Sequence, residues 1–405
     1  MRIGFVVDNE LNSDIRVLRE IGILTEMGYE IYVLCFGFVK AYNNPLSKIR
    51  VTRIRISRKL KNILFFMLNT VPVYEWLWAL KIKQFVIHNK LEVLHVHDLY
   101  MARASYNGIR KTKLNIPMIL DLHENYPFTV RTYNWTKGFL RRLISRPEKW
   151  KINEPEYLGF ANRIIVLSND FRDELLKQYP KLGKDTFIVL PNVPDLSKPE
   201  YNTKGIVSNP FRQGFPIIFY YGVIAERRGI FDALEVFTNL VKEGCNVNFL
   251  LIGPVDKKDY HLFTKFIGAD LITNRIHYIP WIEAKEFPDY LRISDICLAP
   301  FHKNPQHESG VANKIYDYML GGKPIIASNC KPQQTLIEKH NCGLIFQNRT
   351  EFHDAIVKLL NNKPLREEMG ENGKNAVLRE YNTEIVKENL IVLYKTLSLN
   401  HKEHS

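Results

Sequence analysis

Short apolar runs rich in β-branched residues recur along the chain, each followed by a longer stretch whose apolar positions return at helical spacing. An apolar run that does not alternate with polar residues is what a parallel strand covered on both faces requires. In the first half such runs fall at 3–7, 31–36, 93–96, 118–122, 164–167 and 187–190, and in the second at 217–221, 248–252, 276–279, 296–299, 324–327 and 344–346. Strand and helix in alternation predict βαβ units and parallel sheets, hence an α/β fold. The first helix is punctuated by Ser13 or Asp14 as N-cap and by Gly28 just past its end. At 383–397 apolar residues keep helical spacing and no strand follows, which predicts a closing helix.

Between Pro191 and Pro216 the periodicity lapses, and Pro194, Pro199, Gly205, Pro210 and Gly214 stand among polar residues. A chain of 405 residues exceeds what one core sustains, so two domains are expected. We expect a first domain at 1–200, a linker at 201–215 and a second domain at 216–380, with a closing helix at about 381–400 packing back on the first. At 45% hydrophobic and 24% charged residues the composition is that of an ordinary globular protein. The five cysteines, Cys35, Cys245, Cys297, Cys330 and Cys342, are scattered and never closely paired, which fits a reducing compartment. The opening MRIGFVVDNE reads as a buried strand rather than a signal peptide. The longest candidate for a membrane span, 63–80, is interrupted by Asn69, Pro72 and Glu75. A cytoplasmic protein without a transmembrane helix is expected.

The net charge of +13 is unevenly distributed: residues 1–200 hold 31 Lys and Arg against 20 Asp and Glu, and the remainder 25 against 23. An excess of this kind points to a polyanionic partner. No helix-turn-helix, zinc-finger or RNP pattern accompanies it, so nucleic acid is not expected. Instead Arg50, Arg53, Arg55, Arg58, Lys59 and Lys61 precede the apolar run 63–68 and then Tyr74, Trp76 and Trp78. Basic residues beside exposed aromatics make an interfacial anchor, so the 50–78 segment is expected to touch an anionic membrane at its cytoplasmic face. The other reading places these aromatics in the core and the arginines on a solvated strand face.

In parallel sheets ligands sit at the carboxyl ends of strands. There the sequence offers Asp8 and Asn9, His97 and Asp98, and His123, Glu124 and Asn125. A lone histidine in such a loop is as often a hydrogen-bonded loop residue as a functional one; two strands ending this way strengthen the functional reading. In the second half, Gly222 opens a loop through Arg227, Arg228 and Gly229 into a helix. A helix N-terminus with guanidinium groups is an anion site, although two arginines can simply solvate a loop. Further on, Glu308, Ser309, Gly310, Val311 and Ala312 lead into a short helix bearing Lys314 and Asp317, a second anion-binding arrangement. The bland alternative is an i,i+3 salt bridge between Lys314 and Asp317.

These motifs resemble those of glycosyltransferase family 4, over nearly the whole chain. Asp14-Ile-Arg16-Val resembles that family's D-x-R-V start, and Asp121-Leu-His123-Glu124 its D-x-H-E; Ser168 and Pro191-Asn192 match the end of the first domain. Gly222 to Gly229 resembles the phosphate loop G-x-x-x-x-x-K-G, with Arg228 in place of Lys. Lys314-Ile-Tyr-Asp317-Tyr-Met319 with Gly322-Lys-Pro324 resembles the donor motif K-x-x-E-Y-M-x-x-G-x-P. The chain departs in having Val223 where Arg is usual, and Asp317 for the second glutamate of the paired-glutamate motif. Glu308 stands nine residues before Asp317 rather than eight, which leaves Ser309 at the usual spacing.

The resemblance implies a GT-B fold, two Rossmann-like doubly wound parallel-sheet domains facing a central cleft. It implies a retaining glycosyltransferase needing no metal or other cofactor, which takes a nucleotide diphosphate sugar to a glycan or lipid-linked acceptor in cell-envelope polysaccharide synthesis. On it, His123, Arg228 and Lys314 are catalytic. Gly222, Arg227, Glu308, Ser309, Gly310, Val311, Ala312 and Asp317 bind the donor, and Asp14, Arg16, His97, Asp98 and Glu124 lie on the acceptor side. A nucleotide-sugar epimerase or phosphorylase of the same fold, or a non-catalytic nucleotide-sugar binder, stays open at this point. Transfer against hydrolysis, and the effect of losing His123, separate them.

Overall fold

The computed structural model describes residues 1–39, 46, 48–196 and 207–402. Two compact units emerge, Met1–Pro191 with Val386–Ser405, and Asn192–Ile385. The first is built on seven parallel strands: β1 (Arg2–Val7), β2 (Glu30–Gly37), β3 (Ile49–Arg55), β4 (Val93–His97), β5 (Met118–Asp121), β6 (Arg163–Val166) and β7 (Phe187–Val189). Their order is β3-β2-β1-β4-β5-β6-β7. The central strands are apolar and buried on both faces, as their uninterrupted runs require.

Strand β3 is absent from the elements expected above, and its place explains why. Among the described residues it pairs only with β2, at the sheet edge, and it reads IRVTRIR, with Ile49 and Ile54 buried while Arg50 and Arg55 reach solvent. Charged residues on an edge strand discourage pairing with other chains and also break the apolar run. A second correction concerns the 50–78 segment. Tyr74 and Trp78 lie on the core face of helix Val73–Asn89 with Ile82, Phe85 and Val86, fully buried, and of its aromatics Trp76 alone stays exposed. Spacing by four residues puts Tyr74, Trp78 and Ile82 on one stripe, and Trp76 falls half a turn away.

Helix Thr383–Lys402 belongs to this unit from Val386 onward. Its stripe of Val386, Leu390, Leu393, Tyr394 and Leu397 is buried, and the Tyr394 hydroxyl lies 2.7 Å from Nδ1 of His95 on β4.

The second unit has six parallel strands: β8 (Ile217–Tyr221), β9 (Asn248–Ile252), β10 (Ile276–Ile279), β11 (Ile296–Ala299), β12 (Ile325–Ser328) and β13 (Gly343–Phe346), ordered β10-β9-β8-β11-β12-β13. Of the expected linker, 201–206 lie outside the described residues. The part from 207 to 215 is packed: Phe211 is buried, and the Arg275 guanidinium lies 4.4 Å from the Phe215 ring. In both sheets the chain winds outward from one strand and returns on its other side, β4 beside β1 and β11 beside β8. The carboxyl ends of these pairs are the switch points where ligands bind in doubly wound folds.

Candidate active site

At the first switch point the ends of β1, β4 and β5 bring Asp8, His97, Asp98 and His123 together. Behind them lies a buried charge cluster centred on Arg16, which helix Ile15–Glu26 carries inward. Its guanidinium grips Asp121 with two bonds of 3.0 Å, donates to the Leu190 carbonyl at 3.1 Å and lies 3.2 Å from Glu20. Burial alone would raise the Asp121 carboxyl; Arg16 and His123 outweigh it and hold it well below the usual carboxylate range. Arg16 therefore holds the site together from behind rather than facing an acceptor. Asp14 accepts from the Val17 amide at 3.1 Å, so it caps the same helix.

His123 lies in front of this cluster. Its Nε2 is 2.9 Å from Nδ1 of His97 and 3.3 Å from Asp121, while its Nδ1 faces Asp98 at 4.0 Å. Burial would depress its pKa, but the carboxylates of Asp98 and Asp121 prevail and lift it to about 9. At neutral pH His123 is therefore an imidazolium, a donor of hydrogen bonds rather than a base. Glu124 beside it is pushed up to about 7 by burial and by Asp98, and accepts from the Tyr133 hydroxyl at 3.2 Å. Asp98 adopts φ of 72° and accepts from the Tyr100 hydroxyl at 2.8 Å. Asp8 accepts from Tyr74 and pairs with Lys61 at 2.9 Å.

Glu20, His95, His97 and Asp121 each place one potential metal ligand within 4.8 Å of the others. Arg16 already sits between the two carboxylates, within 3.2 Å of both, so this cluster carries its own cation.

At the second switch point β8 runs into Gly222, whose φ of 133° suits glycine alone. A Cβ there would lie 3.0 Å from Nζ of Lys314. Gly229 closes the loop at φ of 69°, and a Cβ on it would strike the Pro300 carbonyl after β11 at 1.6 Å. The loop is thereby pressed onto the end of β11, with helix Ile230–Lys242 starting behind it. Lys314 enters from the first turn of helix Asn313–Leu320, which has no side-chain N-cap. Its ammonium lies 3.7 Å from the centroid of Tyr220 and 5.2 Å from that of Phe301, and Arg228 lies 5.4 Å from the same Phe301 ring. The Tyr220 hydroxyl donates to the Val223 carbonyl at 2.8 Å, which fixes the ring beneath the ammonium. Among the described residues neither cation has a carboxylate partner. Burial, and then Arg228, depress Lys314 well below the usual lysine range. The two basic groups share the Phe301 face, partly desolvated, and an anion arriving beside them favours the charged form of both.

Other expected donor residues are used differently. Arg227 is paired with Asp256 at 2.7 Å. Glu308 accepts from the Lys331 amide at 2.8 Å, at the start of helix Lys331–His340, and Ser309 donates to the Gln306 carbonyl at 2.7 Å. Lys314 and Asp317 form no salt bridge; Asp317 lines a recess of about 460 Å³ with Phe287, Arg292, Lys323 and Lys374. Tyr220 and Phe301, which carry the two cations, escaped the sequence reading. Their only signal was an aromatic one residue before the end of β8, inside a run that reads as plain core, and another two residues past β11.

Residues 16–198 match the family model Glycosyltransferase Family 4, and residues 203–376 match Glycosyl transferases group 1. The chain belongs to the group 1, family 4 glycosyltransferases. Among its relatives is the alpha-D-kanosaminyltransferase of Streptomyces kanamyceticus, 22% identical over 334 residues, 80% of this chain and 82% of the relative. Its fold is GT-B: sucrose-phosphate synthase of Thermosynechococcus elongatus superposes with a TM-score of 0.73 at 16% identity, covering 99% of this chain and 100% of the other. HepE of Anabaena, solved in complex with UDP, gives 0.69 at 12% identity over 98% and 100%.

Proposed function

We propose that this glycosyltransferase moves a sugar, with retention of configuration and without a divalent metal, from a nucleoside diphosphate donor to a lipid-linked or polysaccharide-precursor acceptor in cell-envelope glycan synthesis. The observation that carries this is the pair Arg228 and Lys314 at the ends of β8 and β11, two basic side chains that have no carboxylate partner among the described residues. The second unit, with a domain at about 216–380, takes the donor. Arg228 and Lys314 meet the diphosphate, and the uncapped amides at the start of helix Asn313–Leu320, after Gly310, Val311 and Ala312, add donors aimed at it. As the bond from the anomeric carbon to the phosphate oxygen breaks, negative charge grows on the diphosphate, and preorganised positive charge stabilises that change. These two side chains supply the charge that a bound cation supplies elsewhere. Asp317 holds the ribose. The first unit, with a domain at about 1–200, takes the acceptor between Asp98, His123 and Glu124, and the His123 imidazolium donates to the reacting sugar. UDP bound to HepE supports the donor class, and the sugar transferase named above supports the reaction.

No helix among the described residues is long and apolar enough to cross a membrane. We place the protein at the cytoplasmic face of the membrane as a peripheral enzyme, with Arg50, Arg55 and Trp76 contributing to contact. The test is thermal unfolding with UDP, GDP or ADP in the presence of EDTA. At least one should raise the melting temperature, and the rise should vanish in Arg228→Ala with Lys314→Ala. Stabilisation that strictly requires magnesium would overturn metal independence.

A further inference from the structure

Helix Phe139–Ser145 reads FLRRLIS and leaves its apolar as well as its basic side chains exposed, with Ser145 alone of its residues buried. Phe139 is 83% exposed, Leu140 70%, Leu143 57% and Ile144 36%. At 100° per residue these four form one stripe, with Arg141 and Arg142 on the opposite face. The helix is not a loose end. Asn69 donates to the carbonyls of Ser145 and Arg146 at 3.0 and 3.3 Å, Lys149 donates to the Asn69 carbonyl at 3.1 Å, and Arg142 pairs with Glu148. A firmly held apolar face in water marks a binding surface.

Beside it opens a recess of about 710 Å³, within the range of about 300–1,000 Å³ typical of small-molecule sites. Ile63, Phe65, Phe66 and Trp135 give it an apolar wall, and Lys59 and Arg141 stand at it. Among the described residues Lys59, Lys137, Arg141 and Arg146 have no carboxylate partner, so the surroundings are unneutralised and positive. The apolar wall also connects to the reacting end of the sheet. Phe65 packs on Tyr100 at 5.2 Å, Tyr100 donates to Asp98 at 2.8 Å, and Asp98 faces His123. From the turn between Lys59 and Ile63, Lys61 reaches Asp8 at the end of β1.

We propose that this recess seats the apolar chain of a phosphate-bearing membrane lipid that serves as acceptor. The chain lies among Ile63, Phe65, Phe66 and Trp135, its phosphate meets Lys59 and Arg141, and Phe139, Leu140 and Leu143 dip into the bilayer that delivers it. Apolar walls recognise the tail and unpaired cations recognise the phosphate, a combination that suits neither a free sugar phosphate nor a neutral glycan. The word acceptor rests on the glycosyl-transfer reading; the lipid seat does not.

The experiment uses the whole protein and three probes: dodecyl phosphate below its micellar concentration, inorganic phosphate, and vesicles of phosphatidylcholine with or without phosphatidylglycerol. Dodecyl phosphate should bind at least about tenfold tighter than inorganic phosphate and quench or shift Trp135 fluorescence, a change missing in Trp135→Phe. Ile63→Glu, at an exposed position on the wall, should abolish it. Phe139→Ser with Leu140→Ser should weaken binding to phosphatidylglycerol vesicles about tenfold or more at an unchanged melting temperature. Dodecyl phosphate binding no tighter than inorganic phosphate, or vesicle binding indifferent to the serine pair, overturns the proposal. So does a dimer that the serine pair dissociates while vesicle binding is unchanged, since the patch then joins two copies. Nucleoside diphosphate binding measured on the same samples separates the two readings. Lipid binding absent with nucleotide binding intact sinks the lipid seat alone, and the converse sinks glycosyl transfer alone.

Discussion

His123 offers the sharpest quantitative test, because its charge follows from its neighbours. A pKa of about 9 against an ordinary value near 6.5 corresponds to about 3 kcal/mol of preference for the imidazolium in the folded first unit. The folded value is the higher one, so the stabilisation is complete below about pH 6.5 and is lost as pH climbs toward 9. His123→Gln has no proton to lose. Raising the pH from 7 to 10 should therefore narrow the stability advantage of wild type over that variant by up to about 3 kcal/mol. For a unit of this size that is about 6–12 °C in the melting temperature of its transition. The assay is calorimetry of both proteins across this range, with long-range nitrogen NMR of the imidazoles assigned by the variant. Asp98→Asn removes one of the two carboxylates responsible and should lower the His123 titration. Parallel stability profiles for wild type and variant, or a His123 ring that titrates near 6.5, would refute the reasoning.

Arg228→Ala and Lys314→Ala should each weaken nucleoside diphosphate binding by about tenfold to a hundredfold, since each removes a charged contact of about 1.5–3 kcal/mol; titration calorimetry reads this. Because burial and Arg228 depress Lys314 and an arriving anion favours its charged form, diphosphate binding should be linked to proton uptake at Lys314, seen as a dependence of the heat on buffer ionisation that is missing in Lys314→Met. Gly222→Ala should cost about 1–3 kcal/mol in backbone strain and push the Lys314 ammonium aside, so that affinity falls with stability; unchanged affinity would show that the ammonium does not need that space. Arg16→Gln leaves Glu20 buried without its cation and Asp121 with the His123 imidazolium alone, and should cost about 3–5 kcal/mol in urea unfolding of the first unit.

The buried strands were legible because a strand covered on both faces must be apolar throughout, and that requirement is written locally. Strand β3 was not, since an edge strand needs only one apolar side and its arginines resemble a solvated loop. Tyr74, Trp76 and Trp78 looked alike in sequence, and only the phase of their helix against the core decides that Trp76 alone faces water. The polar residues after β4 and β5 could be named from their position past each strand. Their chemistry could not, because it depends on Arg16 reaching Asp121 across 105 residues. The loop glycines and Lys314 were likewise visible as a motif, whereas the Phe301 ring that gathers Lys314 and Arg228 lies 13 residues before one and 73 after the other, just past a run that reads as core.

The closing helix gives the chain an order of events during synthesis. The second unit is one continuous stretch, Asn192–Ile385, and can complete its sheet while the ribosome is still at work. The first unit is divided: its strands are made early, but the helix that covers them from Val386 onward is made only after the whole second unit. Until then His95 lacks its Tyr394 hydroxyl, and the flank of the sheet that Leu390, Leu393 and Leu397 will cover stays wet. The unit begun first is thus finished after the one begun second, and a nascent chain carries a completed second unit while its first still waits for its covering helix.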